Sequence, residues 1–162
     1  MIDKNSPLWS FLDPNQKDYL TDSTYLLEHL KNHPVVLNDY SFILFGVAKC
    51  YEGFLKKLFL KKGYINEEQF LSTRFRIGMA LNPNLEDRFR DQCLYDNLRK
   101  DTGTEELGDL LWNTWKFNRN RVFHYFPNKI DYLTIKECEQ RINDTVAAME
   151  KALEILLQKN NL

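Results

Sequence analysis

Hydrophobic positions recur at steps of three and four residues along most of the chain, and alternating apolar/polar runs are scarce. That periodicity predicts helices rather than strands. The clearest stretch is 38–62, where Phe45, Ala48, Tyr51, Leu55, Leu58 and Phe59 cover more than half of a helical wheel. So wide an apolar arc predicts a helix packed on two sides. Near the C-terminus, Ile142, Val146, Met149, Leu153 and Leu156 keep the same rhythm. Thr134 and Glu137 form a capping box that opens this helix, which should reach about residue 159. Thr102 and Glu105 have the same box spacing and predict a helix running to about residue 125. A first helix is expected over 13–32, with shorter ones over 67–81 and 85–100.

Breaks fall at His33-Pro34, Lys62-Gly63, Asn82-Pro83, Thr102-Gly103 and Pro127-Asn128, all short enough to join neighbouring helices. The expected fold is therefore all-α: an antiparallel bundle of four main helices plus one or two short ones. It forms a single domain over 1–162, a length that buries a substantial core. Hydrophobic residues make up 43% and charged residues 28%, ordinary values for a globular chain. A formal net charge of −1 argues against coating nucleic acid by charge alone, while leaving room for a local basic patch. Cys50, Cys93 and Cys138 fit no zinc-ligand spacing and read as reduced thiols. With no targeting pattern and no membrane-length apolar run, a soluble cytoplasmic protein is expected.

Three histidines narrow the search for chemistry. His29 and His33 share a helix face, yet no Asp or Cys nearby completes a metal set, and charge at a helix C-terminus explains His33. His124 stands in FNRNRVFHYFP, residues 117–127, within the pattern R-N-x-x-x-H formed by Arg119, Asn120 and His124. On an ideal helix Asn120 and His124 share a face, whereas Arg119 points away, towards Trp112 and Trp115. Bringing Arg119 to His124 requires that the last turn unwind before Pro127, that the arginine curl back, or that two copies complete one site.

The set suits cleavage of a phosphodiester by the RNA's own 2′-hydroxyl. Imidazole exchanges protons near neutrality and can act as acid or base. A guanidinium fork can hold phosphate oxygens and stabilise a phosphorane. Asn120 can orient either the ring or the phosphate. No metal or other cofactor is needed. The structural alternative is an arginine and a histidine that meet a helix dipole, with a cation–π contact to tryptophan.

The motif resembles the R-x4–6-H motif of the HEPN superfamily, small all-α domains that include metal-independent endoribonucleases. The residue after the arginine, Asn120, is one of the types usual there, and the motif lies late in the penultimate long helix, as the resemblance requires. The resemblance implies a homodimer with facing motifs, an RNA substrate and a cognate antitoxin protein. It also implies a toxin or phage-defence role. Toxins of the RNase LS type add a glutamate from an earlier long helix, for which Glu52 is the counterpart. Glu52 sits just inside the edge of the apolar arc, where a carboxylate needs a partner: the motif's Arg or His, or else water or Lys49 or Lys56 along its own helix. A branch silenced by a nucleotidyltransferase antitoxin carries R-x4-H-x-Y; here that position is Phe126, with Tyr125 beside it, a departure from that mechanism.

Lys49, Lys56, Lys57, Lys61 and Lys62 form a basic flank beside Glu52, and Arg74, Arg76, Arg88 and Arg90 form another basic region. With Arg121 and Tyr125 they are candidates to hold phosphates and stack on unpaired bases. The broad arc of 38–62 and the pair Trp112/Trp115 offer apolar surface for a dimer or fill the core. A catalytically inactive HEPN-like module that binds RNA, nucleotide or protein is the competing reading. A purely structural helical module is the third.

Overall fold

A computed structural model describes residues 2–128 and 131–157. All described regular elements are helical and none is a strand. In chain order they are α1 (Pro7–Phe11), α2 (Pro14–Asn32), α3 (Leu44–Lys61), α4 (Glu67–Leu71), α5 (Ile77–Ala80), α6 (Leu94–Thr102), α7 (Glu106–Trp115) and α8 (Ile135–Leu157). The expected all-α architecture is therefore present, with α2, α3, α7 and α8 as its main helices. Short 3-10 turns precede α3 at Ser41–Ile43 and α6 at Asp87–Gln92, and a π turn, Lys116–Asn120, extends α7.

Helix α2 starts where Pro14 pre-sets the first helical φ angle, and Gln16 Oε1 accepts the Asp13 N–H at 2.9 Å. It stops at His33, ahead of Pro34. Helix α3 begins at Leu44 rather than at 38. Asp39 holds the preceding residues out of the helix by accepting from the Ser41 N–H and hydroxyl and from the Leu133 N–H.

The centre of the molecule is α3, packed against α2 and α8 and touched by α4 and α5. Val47, Tyr51, Phe54, Leu55, Leu58 and Phe59 are buried, so the wide apolar arc does serve two sides. Phe45 departs from that expectation: it is 57% exposed. At Gly46 a Cβ would lie 2.3 Å from the Tyr19 carbonyl oxygen and 2.6 Å from Ser23 Oγ. Only glycine allows α2 and α3 to approach so closely, and Ser23 Oγ accepts the buried Val47 N–H at 3.1 Å.

Two expectations are corrected near α7. Thr102 is not the cap of the following helix but the last residue of α6, its hydroxyl donating to the Leu98 carbonyl. Gly103 then takes φ 77°, the left-handed conformation that ends helices. Helix α7 opens at Glu106, ends its α-helical course at Trp115 and does not continue to 125. By contrast, Thr134 and Glu137 form the expected box. The Glu137 carboxylate accepts the Thr134 N–H at 2.8 Å, and Thr134 Oγ1 accepts the Glu137 N–H at 3.2 Å. The far end expected for α8, 158–159, lies outside the described residues. Trp115 is 5% exposed and Trp112 partly buried against the same core, so this pair fills the interior.

Candidate active site

The R-N-x-x-x-H motif begins in the π turn. The Arg121 N–H bonds to the Lys116 carbonyl at 3.0 Å, five residues back. The turn is pinned to α8 in both directions. Asn118, 9% exposed, donates through Nδ2 to the Arg141 carbonyl at 3.3 Å and to Thr145 Oγ1 at 3.1 Å. Arg141 in return donates to the Phe117 carbonyl. Such i−5 turns interrupt α-helices mostly where a side chain must be re-aimed, and functional sites are enriched in them. Beyond Asn120 the chain leaves the helix, with the Phe123 N–H bonded to the Arg119 carbonyl at 3.3 Å.

This path resolves the geometrical problem of the motif. On a regular helix, residues five apart diverge by about 140°. Here Arg119 and His124 line one cavity of about 230 Å³ together with Phe45, Ala48, Lys49, Glu52 and Phe123. Of the three routes weighed for uniting Arg119 with His124, unwinding of the last turn is the one observed.

Arg119 lies with its guanidinium 4.9 Å from the Trp115 ring centre, towards the tryptophans as its helical angle predicts. Its Nη2 is 3.5 Å from Glu52 Oε2. Both side chains are about one-third exposed, 32% and 34%, so the pair contributes at most about 1 kcal/mol. Glu52 thus finds the cationic partner that its place on the wheel demands, and the partner belongs to the motif. A phosphate could exchange for that carboxylate at little cost.

Lys49 Nζ sits 4.3 Å from the Tyr19 ring centre and 5.4 Å from that of Phe45. These contacts hold its charge at the cavity wall, and no ion pair among the described residues neutralises it. Phe45 meets Phe123 edge-on at 5.9 Å, forming an apolar rim over the polar floor. His124 is exposed, with Phe126 edge-on at 6.5 Å. Neither Phe45 nor Phe123 stood out in the sequence, because an aromatic in a helical arc looks like core until its neighbours are known.

The remaining candidates lie elsewhere. Asn120 is half-buried and is not part of the cavity lining. Lys56 Nζ points to the Ser72 carbonyl at 3.5 Å. Lys57 is tied to the N-terminal segment, with Nζ 2.5 Å from Asp13 Oδ1 and 2.6 Å from the Phe11 carbonyl oxygen. Arg121 stacks at 4.8 Å on Phe117, on the other flank of the turn. Tyr125 is 88% exposed. His29 and His33 stack on each other at 4.6 Å, and no group of potential metal ligands occurs among the described residues.

No helix among the described residues is long and apolar enough to cross a membrane. Comparison with protein-family models, curated proteins and solved structures finds no match. The class of protein is therefore defined by the molecule itself: an all-α bundle with an Arg–Glu–His–Lys cavity where its penultimate main helix breaks.

Proposed function

We propose that the protein is a metal-independent endoribonuclease of the HEPN kind, acting as a homodimer and serving as a toxin or phage-defence effector with a cognate antitoxin. The observation that carries this reading is the convergence of Arg119, Glu52, Lys49 and His124 on one cavity, where the chain leaves the helix beyond Asn120. A cation–π pair or a dipole contact alone would not require His124 and Arg119 to line one cavity.

In the reaction, the 2′-hydroxyl loses its proton and its oxygen attacks the adjacent phosphorus. The bond to the 5′-oxygen breaks and that oxygen takes up a proton, leaving a 2′,3′-cyclic phosphate and a 5′-hydroxyl. His124, exposed at the cavity mouth, carries one of these protons. Arg119 exchanges Glu52 for the phosphate and stabilises the phosphorane charge, with Lys49 adding a second positive charge. Glu52 holds the guanidinium in place before substrate arrives. The cavity is smaller than the usual 300–1,000 Å³ of small-molecule sites, which fits one phosphate and its sugar rather than a larger ligand.

Replacing the 2′-hydroxyl of every nucleotide in an RNA substrate by 2′-O-methyl tests the mechanism. The methylated strand should bind with similar affinity and remain uncut. Cleavage of that strand would contradict the proposal. A HEPN-like module without catalysis would bind both strands and cut neither.

A further inference from the structure

On the opposite flank of the same turn lies a second cavity of about 200 Å³, lined by Phe117, Arg121, Val122, Asp131, Leu133 and Arg141. Val122 lines this cavity and Phe123 the first. The two therefore lie back to back across adjacent residues, whose Cα atoms are about 3.8 Å apart. An RNA strand that places one phosphate at Arg119 and His124 can reach the second cavity by crossing the 121–124 turn.

The chemistry of that cavity is that of a nucleotide subsite. Phe117 is 41% exposed and carries the Arg121 guanidinium stacked 4.8 Å from its ring centre. Lys116 Nζ lies 5.6 Å from the same ring centre, so the flat face open to an unpaired base is the outer side of the Arg121 guanidinium, backed by Phe117. Arg141 spends one N–H on the Phe117 carbonyl and keeps further donors in its five-donor fork. Arg121 and Arg141 thus bring two guanidinium groups to one small opening. Asp131 also lines the cavity, and a phosphate there would be drawn to the two guanidinium groups and away from that carboxylate.

Building on the ribonuclease reading, we infer that this cavity binds the nucleotide next to the scissile one, its base on the Arg121 guanidinium that Phe117 backs and its phosphate on Arg141. A flanking subsite makes single-stranded or looped RNA the substrate, since a paired base cannot leave its stack to reach Arg121. Because every base has a π-face, the subsite adds affinity for the strand without fixing which base flanks the cut.

The test is fluorescence anisotropy of a labelled single-stranded RNA with His124→Ala protein, which keeps the strand intact. Phe117→Ala and Arg121→Gln are introduced into that background, and circular dichroism verifies the fold of each. Stacking losses of about 1–3 kcal/mol per base correspond to about five- to 150-fold weaker binding. Weakening of about ten-fold in either folded variant supports the subsite. Wild-type affinity in both overturns it. The cleavage-competent protein gives the second readout, the KM for a short single-stranded RNA, which should rise about ten-fold in the same variants; an unchanged KM overturns the subsite even if cleavage itself is confirmed. If the wild type cuts nothing but RNA binding still requires Phe117 and Arg121, the subsite stands and only the nuclease reading falls.

Discussion

Arg119 and Glu52, from the π turn and from the middle of α3, approach within 3.5 Å at the floor of the cavity that His124 also lines. Their contact ties the motif to the central helix, and its partial exposure makes it weak enough to be exchanged for substrate.

Replacing Glu52 by Gln should therefore alter stability by no more than about 1 kcal/mol in urea denaturation. RNA affinity should hold or rise, since a negative charge is removed from beside Arg119. Single-turnover cleavage should nevertheless slow by about ten-fold or more, because the guanidinium is no longer held in place before substrate arrives and settles on the phosphate in unproductive arrangements as well. An unchanged cleavage rate would mean that Glu52 serves only the fold.

Gly78 supports the site from behind. A Cβ at this position would lie 2.2 Å from Trp115 Nε1 and 2.5 Å from Cε2, so α5 can pack on Trp115 only through a glycine. Gly78→Ala should push the indole that carries Arg119, at a cost of about 1–3 kcal/mol. Cleavage should fall more than the loss of folded protein explains. Full specific activity per folded molecule would show that Arg119 does not depend on Trp115.

Two lysines of the same helix separate binding from folding. Lys49→Met should weaken RNA binding with little change in stability, because its ammonium lines the cavity and has no ion pair among the described residues. Lys57→Met should do the reverse, losing contacts to Asp13 and Phe11 that are together worth on the order of 1 kcal/mol at this exposure. Parallel anisotropy and denaturation series would expose any failure of this contrast.

Much of the fold could be read from the chain because its devices are local. Pro14, the Thr134 box and the apolar rhythm of 142–156 each act within a few residues of where they are written. Thr102 misled because two adjacent helices compete for it. Gly103 at φ 77° settles the contest for α6, and a helix stop looks much like a start when Thr and Glu flank it. The π turn had no local signal. It is imposed by Asn118 and Arg141 bonding across to and from α8, partners that sequence spacing does not reveal. The same holds for the site. A carboxylate at the edge of an apolar arc showed that Glu52 needs a partner, whereas the choice of Arg119 over a lysine of its own helix, the separate place of Arg121 and the burial of Trp115 follow only from packing.

The thiols provide a test of the core by pH. Burial pushes Cys50 up to about 12 and Cys138 up to about 11, against about 8.5 in an unfolded chain. Above pH 8.5 the unfolded state therefore binds fewer protons than the native state, so stability is complete below that value and declines as pH rises. Between pH 8 and pH 10, Cys50 alone should account for about 2 kcal/mol of that decline. Urea denaturation of wild type and Cys50→Ala at both values isolates it; equal slopes would contradict the burial.

The most direct measurement of the central claim is incubation of a mixed single-stranded and structured RNA pool with wild-type and His124→Ala protein in EDTA, followed by analysis of the new ends. Cutting by the wild type alone, with 2′,3′-cyclic phosphate and 5′-hydroxyl ends, is the predicted result. Equal cutting by both proteins, or intact RNA with both of them folded, would contradict it.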